Sequence, residues 1–454
     1  MEAPFRLNDT DVSANAAAWS HDPSMMYDGR TGLYYSYSTD VFHPECGLCE
    51  KKGIPVRSSL DLVHFKYEGT VLSAAAVRQA QDNGAFPDTE GFWAPYVEFF
   101  NGEYRLYYSA TKCFGSCESK IWLAVSQSPL GPFENRGIVI DTWNADGIDS
   151  PNAIDPHVIH FGKKSYIVYG SFFGGIFIKE LNSETGFSKD ANPRAYGSRI
   201  SRKPEGSQID GPEGASVIFV PETGYFYLFQ SYGWLGDTYD IRVGRSRSII
   251  GPYTDYNGIS LNGESLGLKI AGSYAFSASD PCVKKEGEWK WGGFRGPGHG
   301  VPFLDPVSGS YFFVHHVRDG AESNCTVDDK GRKTWNVHYL FIRPLFFING
   351  WPVLGPEPFC GTVFPASIHE TFFSSEEFWS HRNAMELIQF EYDDNSMRHS
   401  VKKVCNHLEQ FAGQCILYEC TDFENRGTAA VVTGIDGQGI AYWGKFVYRN
   451  SIIK

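Results

Sequence analysis

The sequence predicts an all-β fold: a five-bladed β-propeller over residues 1–354, followed by a small C-terminal β-barrel or sandwich domain over residues 355–454. Three observations predict it. One unit recurs five times: a short polar start, a strand, a turn with Gly or Asn, and a second strand rich in Tyr or Phe. A further pair of strands follows most copies. After Trp351-Pro352 the repeat stops, and Gly355-Pro356-Glu357-Pro358 reads as a linker. Four strands per unit, repeated radially, make a propeller blade.

The copies begin at His21-Asp22-Pro23-Ser24, Trp93-Ala94-Pro95-Tyr96, Ile154-Asp155-Pro156-His157, Pro212-Glu213-Gly214-Ala215 and Gly298-His299-Gly300-Val301. Their second strands include Leu33 to Ser38, Tyr104 to Ser109, Tyr166 to Ser171, Tyr225 to Gln230 and Tyr311 to His315. Asp28-Gly29, Asn101-Gly102, Gly162-Lys163, Thr223-Gly224 and Ser308-Gly309 supply hairpin turns. The outer pairs are read at Val56–Ser59 with Phe65–Tyr67, Ile121–Ser126 with Phe133–Ile140, and Val243–Ser246 with Tyr253–Asp255. Beyond residue 354, alternation at Ile388-Gln389-Phe390-Glu391-Tyr392 and the run Ala429 to Val432 predict short strands with no catalytic constellation.

Composition narrows the function. A charged fraction of 20% and a hydrophobic fraction of 42% describe a globular chain. A formal net charge of −13 without a Lys/Arg cluster argues against nucleic acid. No run approaches the roughly 20 apolar residues of a membrane helix. Met1 to Ser20 lacks the basic and apolar regions of a signal peptide, so the reading is cytoplasmic, or secreted if a leader precedes it. Aromatic residues, 15% of the chain, suit both sheet cores and stacking on sugar rings.

The first residues of innermost blade strands gather at one mouth of a propeller's channel. Asp22, Asp155 and Glu213 therefore converge from three distant parts of the chain. Mutual repulsion disfavours three ionised carboxylates in one funnel, which points to a site. Glycosidic hydrolysis needs one protonated acid and one ionised base, and a third carboxylate can keep the acid protonated. A non-catalytic carbohydrate-binding propeller has no need for all three.

The ordered set His21-Asp22-Pro23, Trp93-Ala94-Pro95, Asn152 to Pro156, Glu213-Gly214 and Gly298-His299-Gly300 resembles glycoside hydrolase family 43, in its endo-α-1,5-L-arabinanase branch. The resemblance runs from about Ser20 to Leu354. Thr433-Gly434-Ile435 and Tyr442-Trp443-Gly444-Lys445 resemble the small C-terminal domain of two-domain arabinanases. It implies an inverting arabinan hydrolase acting as a monomer. Asp22 would be the general base, Glu213 the general acid, and Asp155 the group that orients the acid and raises its pKa. His299 would help hold a calcium ion through waters. Trp93 is a candidate stacking platform, Asn152 and Ser171 candidates for sugar hydroxyls, and Trp234 for the groove wall. Arg295 and Arg318 read as solvated or salt-bridged. An exo-acting arabinofuranosidase or β-xylosidase of the same family is the other enzymatic reading. The family often has Asp after Trp-Ala-Pro, and here Tyr96 stands there, which touches subsite contacts rather than the three acids.

Cys46, Cys49, Cys113 and Cys117 fall in equivalent loops of neighbouring blades. They could hold one structural zinc, form disulfides, or stay as thiols.

Overall fold

The computed structural model describes residues 15–41, 52–83, 91–145, 149–274, 276, 291–361, 367–369, 384–390, 402–404, 413–421 and 428–447. The chain is almost entirely β. Among the described residues, five antiparallel four-stranded sheets occupy the region up to Leu354. In chain order they are β1 (Ser24–Asp28), β2 (Leu33–Tyr37), β3 (Pro55–Ser59) and β4 (Phe65–Thr70); then, after helix α1 (Ala74–Asp82), β5 (Trp93–Phe100), β6 (Glu103–Thr111), β7 (Ser119–Ser126) and β8 (Glu134–Asp141). The third holds β9 (His157–Phe161), β10 (Lys164–Tyr169), β11 (Ile176–Leu181) and β12 (Ser198–Ser201). The fourth holds β13 (Glu213–Val220), β14 (Tyr225–Tyr232), β15 (Asp240–Ser246) and β16 (Leu268–Ala271). The fifth is built from β17 (Trp291–Leu304) and β18 (Tyr311–Ala321), then, past the small hairpin β19 (Cys325–Val327) and β20 (Lys333–Trp335), β21 (His338–Ile348) and β22 (Trp351–Leu354).

The first strands form a ring. β1 contacts β5 and β17, and β13 contacts β9 and β17. The β5–β9 seam is closed by side chains: Glu98 Oε2 lies 2.7 Å from His160 Nε2, and Tyr96 meets the His157 ring edge-on at 4.8 Å. Tyr96, where the family often has an acid, thus packs in a seam. Middle strands such as β14 are buried almost throughout, because each sheet is sandwiched between two others, whereas the edge strand β4 is mostly half-exposed. The chain start completes the fifth sheet, with Trp19 N donating to His338 O and Leu340 N to Ala17 O. Arg57 fixes this segment by donating to Ala18 O at 3.0 Å.

Two local readings change. Tyr253–Asp255 is not the outer strand of the fourth sheet. Thr254 makes only isolated bridges, and the Asp255 carboxylate accepts from the amides of Asn257 and Ile259 at 2.9 Å, which turns the chain off the edge. Leu268–Ala271 takes the edge instead. Helix α1 was not anticipated from the strand pattern. Its Ala-rich sequence favours a helix, and Ser73 caps it by accepting from Ala76 N at 3.0 Å.

Past residue 354, β23 (Ser367–His369), β24 (Ala384–Gln389), β25 (Lys402–Val404), β26 (Gly413–Thr421), β27 (Thr428–Asp436) and β28 (Ala441–Val447) form one six-stranded antiparallel sheet in the order β23-β26-β27-β28-β24-β25. It shares a continuous apolar core with the fifth sheet. Thr433 Oγ1 and Trp443 Nε1 both donate to Leu354 O, at 2.8 and 2.7 Å. Lys445 Nζ lies 2.8 Å from Glu357 Oε1, with both side chains at most 3% exposed.

Removing one member of a buried ion pair costs about 3–5 kcal/mol. Lys445→Ala takes away the ammonium that neutralises Glu357 and is expected to destabilise the whole chain by that amount. Replacing Glu357 by Gln in the same chain should recover part of the loss. Denaturant unfolding checks this, and wild-type stability in Lys445→Ala would contradict the joint core.

Candidate active site

Each first strand carries a backbone kink, at or next to its start in four sheets and within β17 in the fifth. Asp22, Ala94, Asp155, Gly214 and His299 have φ of 48, 44, 60, 57 and 47°. In β5, β13 and β17 the kink is a bulge, since pairing skips between Trp93 and Tyr96, Glu213 and Ser216, and Gly298 and Val301. Such kinks re-aim side chains at the ring's centre. They also correct the phase of one acid. Asp22, Asp155 and His299 occupy the kink itself, but Glu213 precedes it by one residue, in the position of His21, Trp93 and Gly298. Gly214 stands at the kink because only a glycine fits: a Cβ there would lie 2.9 Å from His299 Cα and 3.1 Å from its ring.

Asp22 is densely bonded. Its Oδ2 lies 2.7 Å from His21 Nδ1 and accepts from Thr39 Oγ1 at 2.7 Å. Its Oδ1 lies 3.2 Å from His299 Nδ1. Burial pushes this carboxyl up, but the imidazoles of His21, His299 and His316 outweigh burial and hold it well below the usual carboxylate range. Glu213 Oε2 accepts from Ser171 Oγ at 2.9 Å, and Tyr239 also bonds its carboxyl. Burial, with the negative charge of Asp22, pushes Glu213 up to about 7 despite these hydroxyl donors. Asp155 is buried, accepts from Gly214 N at 2.9 Å through Oδ2, and donates its own amide to Ser109 Oγ at 3.1 Å. Burial and then the charge of Glu213 push it up as well. Asp155 thus braces the peptide that carries Glu213. The ring centre holds one carboxyl kept ionised, Asp22, and two pushed up, Asp155 and Glu213, of which Glu213 keeps its proton to about neutrality.

The other expected residues fall as follows. Trp93 is half-buried at the start of β5, its ring 6.3 Å from that of exposed Phe114. Asn152 is buried and donates to Ser116 O at 3.2 Å. Ser171 faces Glu213. Trp234 donates through Nε1 to Lys333 O at 3.1 Å, and the Arg332 guanidinium covers its ring at 4.2 Å. Cys113 and Cys117 are free thiols, exposed and half-buried; Cys46 and Cys49 lie outside the described residues. Arg295 lies 3.9 Å from Asp237 Oδ1. Arg318 is buried and bonded to protein atoms rather than solvated. Three residues that touch the acids went unsingled in the sequence: Thr39, Tyr239 and His316. They come from second strands and loops, where no motif marks them.

Calcium takes six to eight oxygen ligands. Around His299 the described residues offer imidazole nitrogens of His21, His299 and His316 and one carboxylate, Asp22. That donor set does not fit a calcium ion ligated directly by protein oxygens; waters would have to make most of its shell.

Paired carboxyls in opposite protonation states, aimed from separate sheets at one centre, are the acid–base equipment of a glycoside hydrolase. The chain belongs to glycosyl hydrolases family 43, whose family profile matches residues 16–352. It is 28% identical to an extracellular endo-α-(1→5)-L-arabinanase of Thermotoga petrophila over 393 residues, covering 80% of this chain and 75% of that protein. It is 32% identical to extracellular endo-α-(1→5)-L-arabinanase 2 of Bacillus subtilis over 370 residues, 75% of this chain and 71% of that one. The crystal structure of the Thermotoga petrophila endo-1,5-α-L-arabinanase in complex with TRIS superposes with a TM-score of 0.73 at 24% identity, covering 95% of this chain and 98% of that one. Among the described residues no helix is long and apolar enough to cross a membrane.

Gly214→Ala drives a methyl group into His299 and strains the kink. It should cost about 1–3 kcal/mol of stability. It should also cost at least about tenfold in kcat/KM, because small displacements of reacting groups are expensive. Thermal unfolding and steady-state hydrolysis check this; a variant normal in both would contradict the packing argument.

Proposed function

We propose that this chain is an inverting endo-α-1,5-L-arabinanase. The five sheets act as the blades of a propeller over residues 1–354, and residues 355–454 form a second β-domain, working as a single chain. The observation that carries the reading is the opposed state of two carboxyls: Asp22 held well below the carboxylate range and Glu213 pushed up to about 7. Asp22 takes a proton from water as that water attacks the anomeric carbon. Glu213 gives its proton to the leaving glycosidic oxygen. Asp155 braces Glu213 through Gly214 and opposes its ionisation. Trp93 offers an aromatic face to a furanose ring, Asn152 a polar edge, and Trp234 a wall stiffened by Arg332.

The relatives' names support arabinan as the substrate and an extracellular site of action. Calcium near His299 would be borne by water and would supply positive charge near the site; none of the steps above runs through it. Zinc at Cys46, Cys49, Cys113 and Cys117 stays a proposal that metal analysis of the purified protein decides.

The pH dependence follows in sign. Glu213 must be protonated, so activity is lost as pH rises through about 7. Asp22 must be ionised, so the acid side holds until pH falls below the ordinary carboxylate range. The kcat/KM profile on linear arabinan should therefore fall about tenfold per unit above neutrality. Glu213→Gln should lose about 10²–10⁴-fold on arabinan, lose less on aryl arabinofuranosides with good leaving groups, and abolish the alkaline decline. An undiminished alkaline decline in Glu213→Gln would contradict the assignment. Chromatography of early products from linear arabinan should give mixed oligosaccharides; arabinose alone would mean exo action.

A further inference from the structure

The Asp22 carboxylate does not stand alone, and the groups behind it form a line. Arg318, on β18, is buried, with its guanidinium fixed on two sides: Nε donates to Leu235 O and Nη1 to Trp335 O, each at 2.7 Å. Its remaining arm, Nη2, lies 3.0 Å from His21 Nε2. A guanidinium has donors only, so Nε2 must accept. The ring proton of a neutral His21 then sits on Nδ1, 2.7 Å from Asp22 Oδ2. The ring is also held from turning, stacked on His316 at 4.2 Å and met edge-on by His338 at 4.9 Å. Thr39 Oγ1 accepts from Ala94 N at 2.8 Å and so points its own hydrogen at the same Oδ2. Oδ2 is thereby doubly engaged, while Oδ1, facing His299, keeps a lone pair for water.

We propose that Arg318 is a positioning residue for the reaction: through His21 it selects the imidazole tautomer that aims Asp22 as the base. The inference rests on the reading of Asp22 as that base. Without the Nη2 donor, the His21 proton is free to move to Nε2. The Nδ1 lone pair would then face Asp22 Oδ2 at hydrogen-bond distance, and the repulsion would swing the carboxylate off the water it must activate. Arg318 touches neither substrate nor Asp22; its effect passes through one ring. A buried donor locked by two backbone carbonyls is suited to this, since it cannot follow His21 into another arrangement.

The test is a double-mutant cycle on the full chain, with folding checked by circular dichroism and thermal unfolding. Arg318→Leu and His21→Phe, the latter keeping the stacked ring, are each expected to lower kcat on linear arabinan by about 100-fold. KM should change little. The double variant should be no worse than His21→Phe alone, because both lesions break one line. Arg318→Lys, which restores a single donor, should recover most of the loss. The deficit of Arg318→Leu should persist on aryl arabinofuranosides with good leaving groups, which relieve the acid's work and not the base's. Wild-type kcat in folded Arg318→Leu, losses that multiply in the double variant, or a deficit erased by a good leaving group would each overturn the proposal. If Arg318→Leu does not fold, His21→Phe and Arg318→Lys decide: wild-type kcat in folded His21→Phe, or a loss of about 100-fold in Arg318→Lys, overturns it. Asp22→Asn separates the two levels. If it stays active, the base assignment fails; if it is inactive while Arg318→Leu is not, only the role of Arg318 fails.

Discussion

Four non-glycine residues, Asp22, Ala94, Asp155 and His299, hold backbone conformations that cost of order 1–3 kcal/mol each, and Gly214 holds the fifth. These kinks are the constraint on which the rest depends. Each lies on or just before a first strand, and each turns a short segment toward the ring's centre. The sheets tolerate the strain because it is over-determined on both sides. Asp155 N is tied to Ser109, His299 N to Ser231, and Ala94 N to Thr39. All three acceptors are hydroxyls at the far ends of second strands. The repeat therefore supplies a kink whose amide is tied by a hydroxyl in three sheets, by His316 Nδ1 at Asp22 and by Asp155 Oδ2 at Gly214, and the chemistry resides in what stands at or beside the kink.

Placing acids there sets their charge states by surroundings rather than by sequence. Asp22 is ringed by imidazoles and a hydroxyl, all able to donate to it. Half-buried Glu213 and buried Asp155 lie near that negative charge and near each other, and each is pushed up. One ionised carboxylate thus helps to hold a proton on another. His299 serves this arrangement twice, by facing Asp22 and by leaving no room for a side chain at Gly214.

Much of this was legible from the residues alone. Asp22 and Asp155 could be aligned because each is followed by Pro and each opens a copy of the repeat, and His299 sits at the same step. The strand pairs and their Asn-Gly and Gly-Lys turns followed from local pattern. What could not be read was set by three-dimensional register. The bulge at Gly214 moves Glu213 one residue off the phase of the other acids, and a repeat alignment cannot see a bulge. Tyr239 and His316 reach the acids, and Arg318 reaches His21, from loops and second strands separated from them by many residues. Tyr253–Asp255 has β-prone composition, yet the carboxylate of Asp255 prefers to cap a turn. Arg318, expected to be solvated or salt-bridged, is buried because two carbonyls and an imidazole satisfy it.

Asp22 and Glu213 are expected to rest in opposite protonation states in the free enzyme. Infrared difference spectroscopy tests this directly, comparing the wild type with Glu213→Gln and with Asp22→Asn across pH. At pH 6 the protonated-carboxyl carbonyl region, to which Asp155 also contributes, should hold a component that disappears with Glu213→Gln and titrates near 7. Asp22→Asn should remove carboxylate bands and move the Glu213 titration down without abolishing its protonated band. A protonated band that vanishes with Asp22→Asn, or none that depends on Glu213, would contradict it.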